Sequence, residues 1–351
     1  MGCGASSVNL WDKVSPLKVL ITEAASQVAY LLVLAIAKGD VFGQDKPISL
    51  FLMDIPSTMD VVKGVVLELL DCVLPLLKRI TATSDASVAF KDIDFALLVC
   101  DRPFRAGLGR KDLIYINVPI FMEHGAALNH YSKKRVKVVV VGTVANTMAW
   151  VTSKYAPSIP KQNFSSVTRL GQNRAQSLIA RHLRIPPTAV TKVIIWGNNS
   201  TTQFPDVRLA KAVINGRLVE VPRALDASYL KQDFITNVQQ RTQEILQLRK
   251  LTSALSVANA TCDHMRDWYF GTGDSWVSMA VISDNNPYGV PDDIVYSFPL
   301  VIKDGRWQFV DVKNITEFQD EHMLASTHEL MKEKKVALAA FTHDHIPSDD
   351  T

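Results

Sequence analysis

Cysteine is scarce in this chain: there are four, Cys3, Cys72, Cys100 and Cys262, among 351 residues. Their spacing forms neither a metal-binding frame nor a dense disulfide pattern. That argues against a zinc module or a small secreted scaffold, favours a reducing compartment, and gives no reason to expect a metal. Charge of one sign is also lacking. Thirty-eight basic residues against 35 acidic ones leave +3, and no basic run exceeds Lys133-Lys134-Arg135, so no nucleic-acid partner is expected. Long hydrophobic runs are missing too. The most apolar stretch, residues 28–37, is too short to span a bilayer and reads as a buried helix, and no signal peptide opens the chain. What is present, 47% hydrophobic and 21% charged residues, is ordinary globular composition at a length that suits two domains or one large one.

Short β-branched apolar runs recur at residues 17–22, 48–53, 95–100 and 136–142, each bounded by polar or small residues. Continuous apolarity over so few residues is the pattern of strands buried on both faces of a parallel sheet. Helix-like segments separate them at 28–38, 61–70 and 110–131, the last with a break predicted at Pro119. The alternation predicts an α/β architecture, a Rossmann-type doubly wound parallel sheet with right-handed crossovers. Beyond about residue 155 the pattern mixes. A helix is predicted at 174–183, a strand at 193–196, a hairpin at 210–221 turning on Asn215-Gly216, and one long helical stretch over 238–259. Strands at 275–282, 296–302 and 307–310 follow, then a charged helix over 317–341. The division expected is an N-terminal extension (1–15), a doubly wound domain (16–154), a mixed α+β domain (155–341) and a polar tail (342–351).

Five stretches carry a resemblance: LELLDCVLPLLKR at 67–79, GRKDL at 109–113, YAPSIPKQNF at 155–164, VIIWGNNSTTQFPD at 193–206 and YGVPDDIVYSF at 288–298. Through them residues 16–341 resemble the lactate/malate dehydrogenase family, and within it the cytosolic malate dehydrogenases. The resemblance implies a Rossmann NAD-binding-like domain over 16–154 and a substrate domain over 155–341, NAD as cofactor, hydride transfer between malate and oxaloacetate, a cytoplasmic location and a homodimer. Function still has to be argued from the site.

Set against the family pattern, the cofactor loop is altered. Glu23 stands where the family has its first glycine and Ser26 where it has its second, while Ala29 is acceptable at the third position. Those glycines let the backbone approach the pyrophosphate at a helix N-terminus. Ser26 adds a Cβ, and Glu23 brings a carboxylate towards a place suited to an anion, so NAD binding is expected to be weak or lost. Asp54 matches the acidic residue that holds the adenosine ribose and is retained. Cys100 replaces a glycine at a strand end, and His124 replaces a cofactor-side glutamine.

The catalytic dyad is altered more deeply. The family moves a proton with a histidine polarised by an aspartate, a pair suited to titration near neutral pH. This chain has Asn199 at the histidine position and Gly171 at the aspartate position. Joint loss is physically coherent, because a buried aspartate without its histidine would be an uncompensated charge. Arg110 matches the arginine that polarises the substrate carbonyl, and Arg174 matches the one that grips the common carboxylate. Ser256 matches a substrate-pocket position. Phe104 replaces the arginine that selects dicarboxylates, with Arg105 beside it as an imperfect substitute. Thr143 replaces an asparagine that orients substrate, and Thr242 replaces a glycine facing the site. Arg110 and Arg174 could form a vestigial anion site or serve in salt bridges. Cys100, Asp101 and His124 do not reproduce a histidine–aspartate pair.

The first residues, Met1-Gly2-Cys3-Gly4-Ala5-Ser6, fit N-myristoylation at Gly2 with Cys3 placed for palmitoylation. Two acyl chains would tether the protein to a membrane; a flexible tail with a chance match is the other reading. Three functions stay open: a pseudoenzyme acting as a scaffold with an unknown protein partner, a working dehydrogenase with an altered site, and an anion or nucleotide sensor.

Overall fold

The computed structural model describes residues 15–100 and 108–342. The first half alternates strand and helix: β1 (Leu17–Thr22), α1 (Gln27–Lys38), β2 (Ile48–Met53), α2 (Met59–Asp71), β3 (Leu77–Thr83), the single turn α3 (Ala86–Ala89), β4 (Phe95–Cys100), α4 (Arg110–Tyr131), β5 (Lys137–Gly142), α5 (Ala145–Tyr155) and β6 (Phe164–Ser166). These strands pair in parallel in the order β3-β2-β1-β4-β5-β6, the doubly wound Rossmann arrangement. Strand order reverses between β1 and β4, and that crevice is where such sheets bind ligands.

Burial follows from the twofold period of the strands. Val19 and Ile21 of β1 enter one core and Leu20 the other; Val139 and Val141 of β5 divide from Val138 and Val140 in the same way. Helix α1 buries Val28, Leu32, Val33 and Ile36 along one stripe and ends at Gly39 in the left-handed conformation.

The second half contains α6 (Arg169–Leu183), β7 (Val190–Thr191), β8 (Ile194–Trp196), β9 (Phe204–Asp206), β10 (Lys211–Ile214), β11 (Arg217–Glu220), the short helices α7 (Val221–Ala224) and α8 (Ala227–Lys231), α9 (Asp233–Arg249), α10 (Ala254–Phe270), β12 (Val277–Ile282), β13 (Val295–Lys303), β14 (Arg306–Phe309) and α11 (Glu317–Thr342). Strand β12 pairs antiparallel with β6, and β13 and β14 extend that edge. Among the described residues the result is one nine-stranded sheet crossing both halves. The Asn215-Gly216 hairpin forms as predicted, both residues having positive φ.

Two sequence expectations need correction. Helix α4 runs through Pro119 without ending, because Ile114, Val118, Phe121 and Leu128 pack one face of it into the core. The stretch 238–259 is two helices, not one: α9 closes on Lys250 at φ +59°, and α10 begins at Ala254. No described helix is long and apolar enough to cross a membrane.

Candidate functional site

At the C-terminal end of β1 the chain turns sharply into α1. Glu23 adopts φ +48°, the left-handed conformation that glycine takes most easily. The turn closes through Ser26 N donating to Glu23 O at 2.9 Å. Ser26 caps α1, its Oγ accepting from Ala29 N at 3.2 Å. The loop is tied to the end of β2: Ala24 N donates to Met53 O, and Ala25 N to Asp54 Oδ2 at 2.8 Å, while Asp54 Oδ1 accepts from Ile55 N at 2.8 Å. The backbone thus keeps a glycine-like path even with Glu23 and Ser26 in it, and Asp54 braces the loop.

Cys100 ends β4 opposite Gly142 of β5. Gly142 has φ +145°, and a Cβ there would fall 2.2 Å from Cys100 O, so the two strand ends approach closely. His124 lies buried in α4 against Phe90 and Phe121, with ring centroids 5.7 and 5.4 Å away.

Strand β8 leads into Gly197, Asn198, Asn199 and Ser200. Asn199 is partly exposed, whereas Asn198 is fully buried. Glu329 of α11 organises this loop, accepting from Asn198 Nδ2 at 2.8 Å, from Ser200 Oγ at 2.5 Å and from Thr202 Oγ1. Burial alone would push the Glu329 carboxyl up. The hydrogen bonds from Ser200 and Thr202, the charge of Arg110 and the bond from Asn198 outweigh it and hold the group below its ordinary value.

Gly171 lies in the first turn of α6. A Cβ built on it would stand 2.4 Å from Gln203 Oε1 and 3.3 Å from Ile195 Cγ1. Gln203 is itself buried and donates from Nε2 to Ser200 O at 3.0 Å. A neutral amide therefore fills the space beside residue 171 and spans to the loop carrying Asn199.

The two matched arginines differ in their surroundings. Arg110, at the start of α4, donates from Nε to Glu333 Oε1 at 2.7 Å and from Nη1 to Thr143 O at 3.1 Å. Its Nη2 also lies 2.6 Å from Glu333, and Glu329 is 3.3 Å from its Nε. Thr147 Oγ1 donates to the other Glu333 oxygen at 2.5 Å. Arg174, by contrast, is only 9% exposed, and its buried Nη1 and Nη2 have no hydrogen-bond partner among the described residues. Burial, and secondarily the charge of Arg241, push its pKa down to about 10. A buried guanidinium with its fork unsatisfied costs free energy unless an anion completes it.

Ser256 Oγ donates within its own turn to Ser253 O at 3.1 Å, and Thr242 is exposed on α9. Phe104, Arg105, Asp101, Gly2 and Cys3 lie outside the described residues. Sequence reasoning missed Gln203, Glu329 and Glu333. The only signal for the last two was a pair of glutamates four apart, on one face of a charged helix. Among the described residues no cluster of histidine, cysteine and carboxylates could hold a metal ion.

Comparison with known proteins adds the following. Residues 17–165 match the NAD binding domain of lactate/malate dehydrogenase, and residues 168–341 match its alpha/beta C-terminal domain. Cytoplasmic malate dehydrogenase of Gallus gallus is 54% identical over 325 residues, covering 92% of this chain and 97% of the relative. The Homo sapiens protein is 53% identical over 324 residues, with the same coverage. Among solved structures, Trichomonas vaginalis lactate dehydrogenase in complex with NADH and oxamate superposes with a TM-score of 0.90 at 35% identity, covering 93% of this chain and 99% of that one. Malate dehydrogenase from Naegleria fowleri gives 0.88 at 34% identity, again over 93% and 99%.

Proposed function

This chain belongs to the lactate/malate dehydrogenase family, and from that premise we propose that it keeps the family's ligand-binding frame without its proton-transfer dyad, acting through binding and not turnover. One observation carries the reading: the Gln203 amide fills the space beside Gly171, at one of the two positions, with Asn199, to which the family resemblance assigns the dyad. An asparagine amide can hydrogen-bond an alcohol oxygen but cannot exchange its proton near neutral pH. General acid–base catalysis contributes about 10²–10⁴-fold.

The residues present fit NAD in outline. Glu23 holds the glycine-like turn, α1 offers its N-terminus, and Asp54 stands at the end of β2 for the ribose hydroxyls. When bound, the nicotinamide supplies the hydride donor or acceptor. We propose that the Glu23 carboxylate and the Ser26 cap weaken pyrophosphate binding. Arg174 would receive a carboxylate in its unsatisfied fork, while Arg110 is held by Glu333 and Glu329 until a competing anion draws it away.

A working NAD-dependent malate dehydrogenase with an altered site is the alternative. It draws on the high identity to cytoplasmic malate dehydrogenases and on the retained Asp54, Arg110 and Arg174. The deciding assay is oxaloacetate reduction by NADH at high protein concentration. No turnover above background is expected; turnover that disappears in Arg174→Ala would overturn the reading.

Two further proposals concern assembly. A homodimer would form through the outer faces of α1, α2 and α10, where Val61, Leu67, Leu70 and Leu255 are 55%, 64%, 58% and 68% exposed. Acylation at Gly2 and Cys3 would tether an otherwise cytoplasmic protein to a membrane.

A further inference from the structure

We propose a second anion-binding site, separate from the dyad and from Arg174, in the groove between α6 and α9. Its ligand class is a compact organic or inorganic anion with at least two acidic groups.

Helical spacing builds the groove. On α6, Arg174, Leu178 and Arg181 recur at intervals of four and three, so they share a face. On α9, Asn237, Arg241 and Glu244 repeat the same intervals. Leu178, Arg181 and the α9 trio line a cavity of about 430 Å³, within the range of small-molecule sites. Its wall is closed by His182 and Tyr229, whose ring centroids lie 4.6 Å apart at 37°.

The groove's charges are poorly balanced. Arg241 Nε is 3.0 Å from Glu244 Oε2, yet its buried N–H makes no hydrogen bond because it is not directed at that oxygen. Glu244 is therefore a neighbouring charge and not a partner that satisfies Arg241 Nε. Among the described residues Arg181 has no carboxylate within ion-pair distance, and its charge acts on Tyr229. Arg241 also repels the buried Arg174. The acids nearby are Glu244 and Asp233, the latter acting on Tyr229. Of the residues that line the cavity two are arginines, Arg181 and Arg241, and one is a carboxylate, Glu244, which leaves a positive surplus.

Guanidinium forks pair bidentately with carboxylate and phosphate. Two of them across one cavity suit a ligand with two acidic ends, and Asn237 adds a polar group between. The His182–Tyr229 wall gives the middle of the ligand an apolar face to lie on.

The test is calorimetric titration of the full-length protein with citrate in one arm and inorganic pyrophosphate in the other. The expected result is saturable binding in one arm, which identifies carboxylate or phosphate as the preferred chemistry, weakened at least about tenfold in Arg181→Ala. Arg181 is solvent-exposed, so its removal should leave the fold intact, with an unchanged circular dichroism spectrum as the check. Absence of binding in both arms, or binding indifferent to Arg181→Ala, would overturn the site. Neither outcome bears on oxaloacetate turnover, so failure here is separable from failure of the non-catalytic reading.

Discussion

Gln203 governs whether position 171 can regain a carboxylate. The atom that a Cβ at Gly171 would meet is the far end of a flexible side chain, so the clash can be relieved by rotating one amide. The Gly171→Asp/Asn199→His double variant should gain NADH-dependent oxaloacetate reduction by at least about 10²-fold over the parent. Neither single variant should do so: histidine alone lacks its orienting partner, and aspartate alone is a buried charge without a cation. Initial rates of the three variants check this, and a single variant matching the double would refute the paired-loss argument. A second residue-level prediction concerns His264, buried with Nε2 3.1 Å from Ser165 Oγ. Ser165 gives its proton to Ala280 O, so Nε2 carries a proton and donates to Ser165. Burial, then the charge of Arg169, push its pKa down to about 3. In the unfolded chain it is about 6.5. Between these values the unfolded state binds one more proton, so stability present above pH 6.5 is lost on acidification, by about 1.4 kcal/mol per pH unit from this residue. Denaturant midpoints from pH 7 to 5 should fall less steeply in His264→Gln than in the parent.

Helix α2 places Leu67 and Leu70 on its outer face, and the neighbouring α1 exposes Tyr30 and Leu34. Both helices thereby expose large apolar side chains, as an interaction surface does. Leu67→Glu should shift the protein from dimer to monomer by light scattering while its circular dichroism stays unchanged; a monomeric parent would remove the proposal. Legibility of the elements in the sequence followed burial. Strands β1, β2, β4 and β5 were readable because both faces are covered, leaving unbroken apolar runs. Strand β3 was not, since this edge strand carries exposed Lys78 and Arg79 and loses that signature. Strand β6 is three residues long, too short to show a period. The break at Lys250 lacks glycine or proline, so nothing local announced it. In the candidate site, Asn199, Gly171, Arg110 and Arg174 are assigned through family resemblance. The Gln203 and Glu329 contacts depend on segments distant in sequence and could be seen only in three dimensions.

At the scale of the whole molecule, α11 and the sheet determine what can move. Glu329 and Glu333 on α11 fasten the Asn198–Ser200–Thr202 loop and Arg110 to the same helix, so an anion that captures Arg110 must also disturb the loop beside Asn199. Such a protein could serve as an anchored binding module if its N-terminus is acylated. Labelled myristate should attach to Gly2 in cells and be lost in Gly2→Ala; failure to incorporate label in the parent would remove the tether. The sheet then acquires a mechanical meaning. Strand β1, the first described strand, lies in the interior of the sheet, paired along its length with β2 on one side and over Val19, Leu20 and Ile21 with β4 on the other. Force arriving from the N-terminal side would load those rows of hydrogen bonds together in shear, whereas an edge strand such as β3 or β14 would peel one bond at a time. A molecule held by its first residues would thus bear tension through one of its most resistant strands.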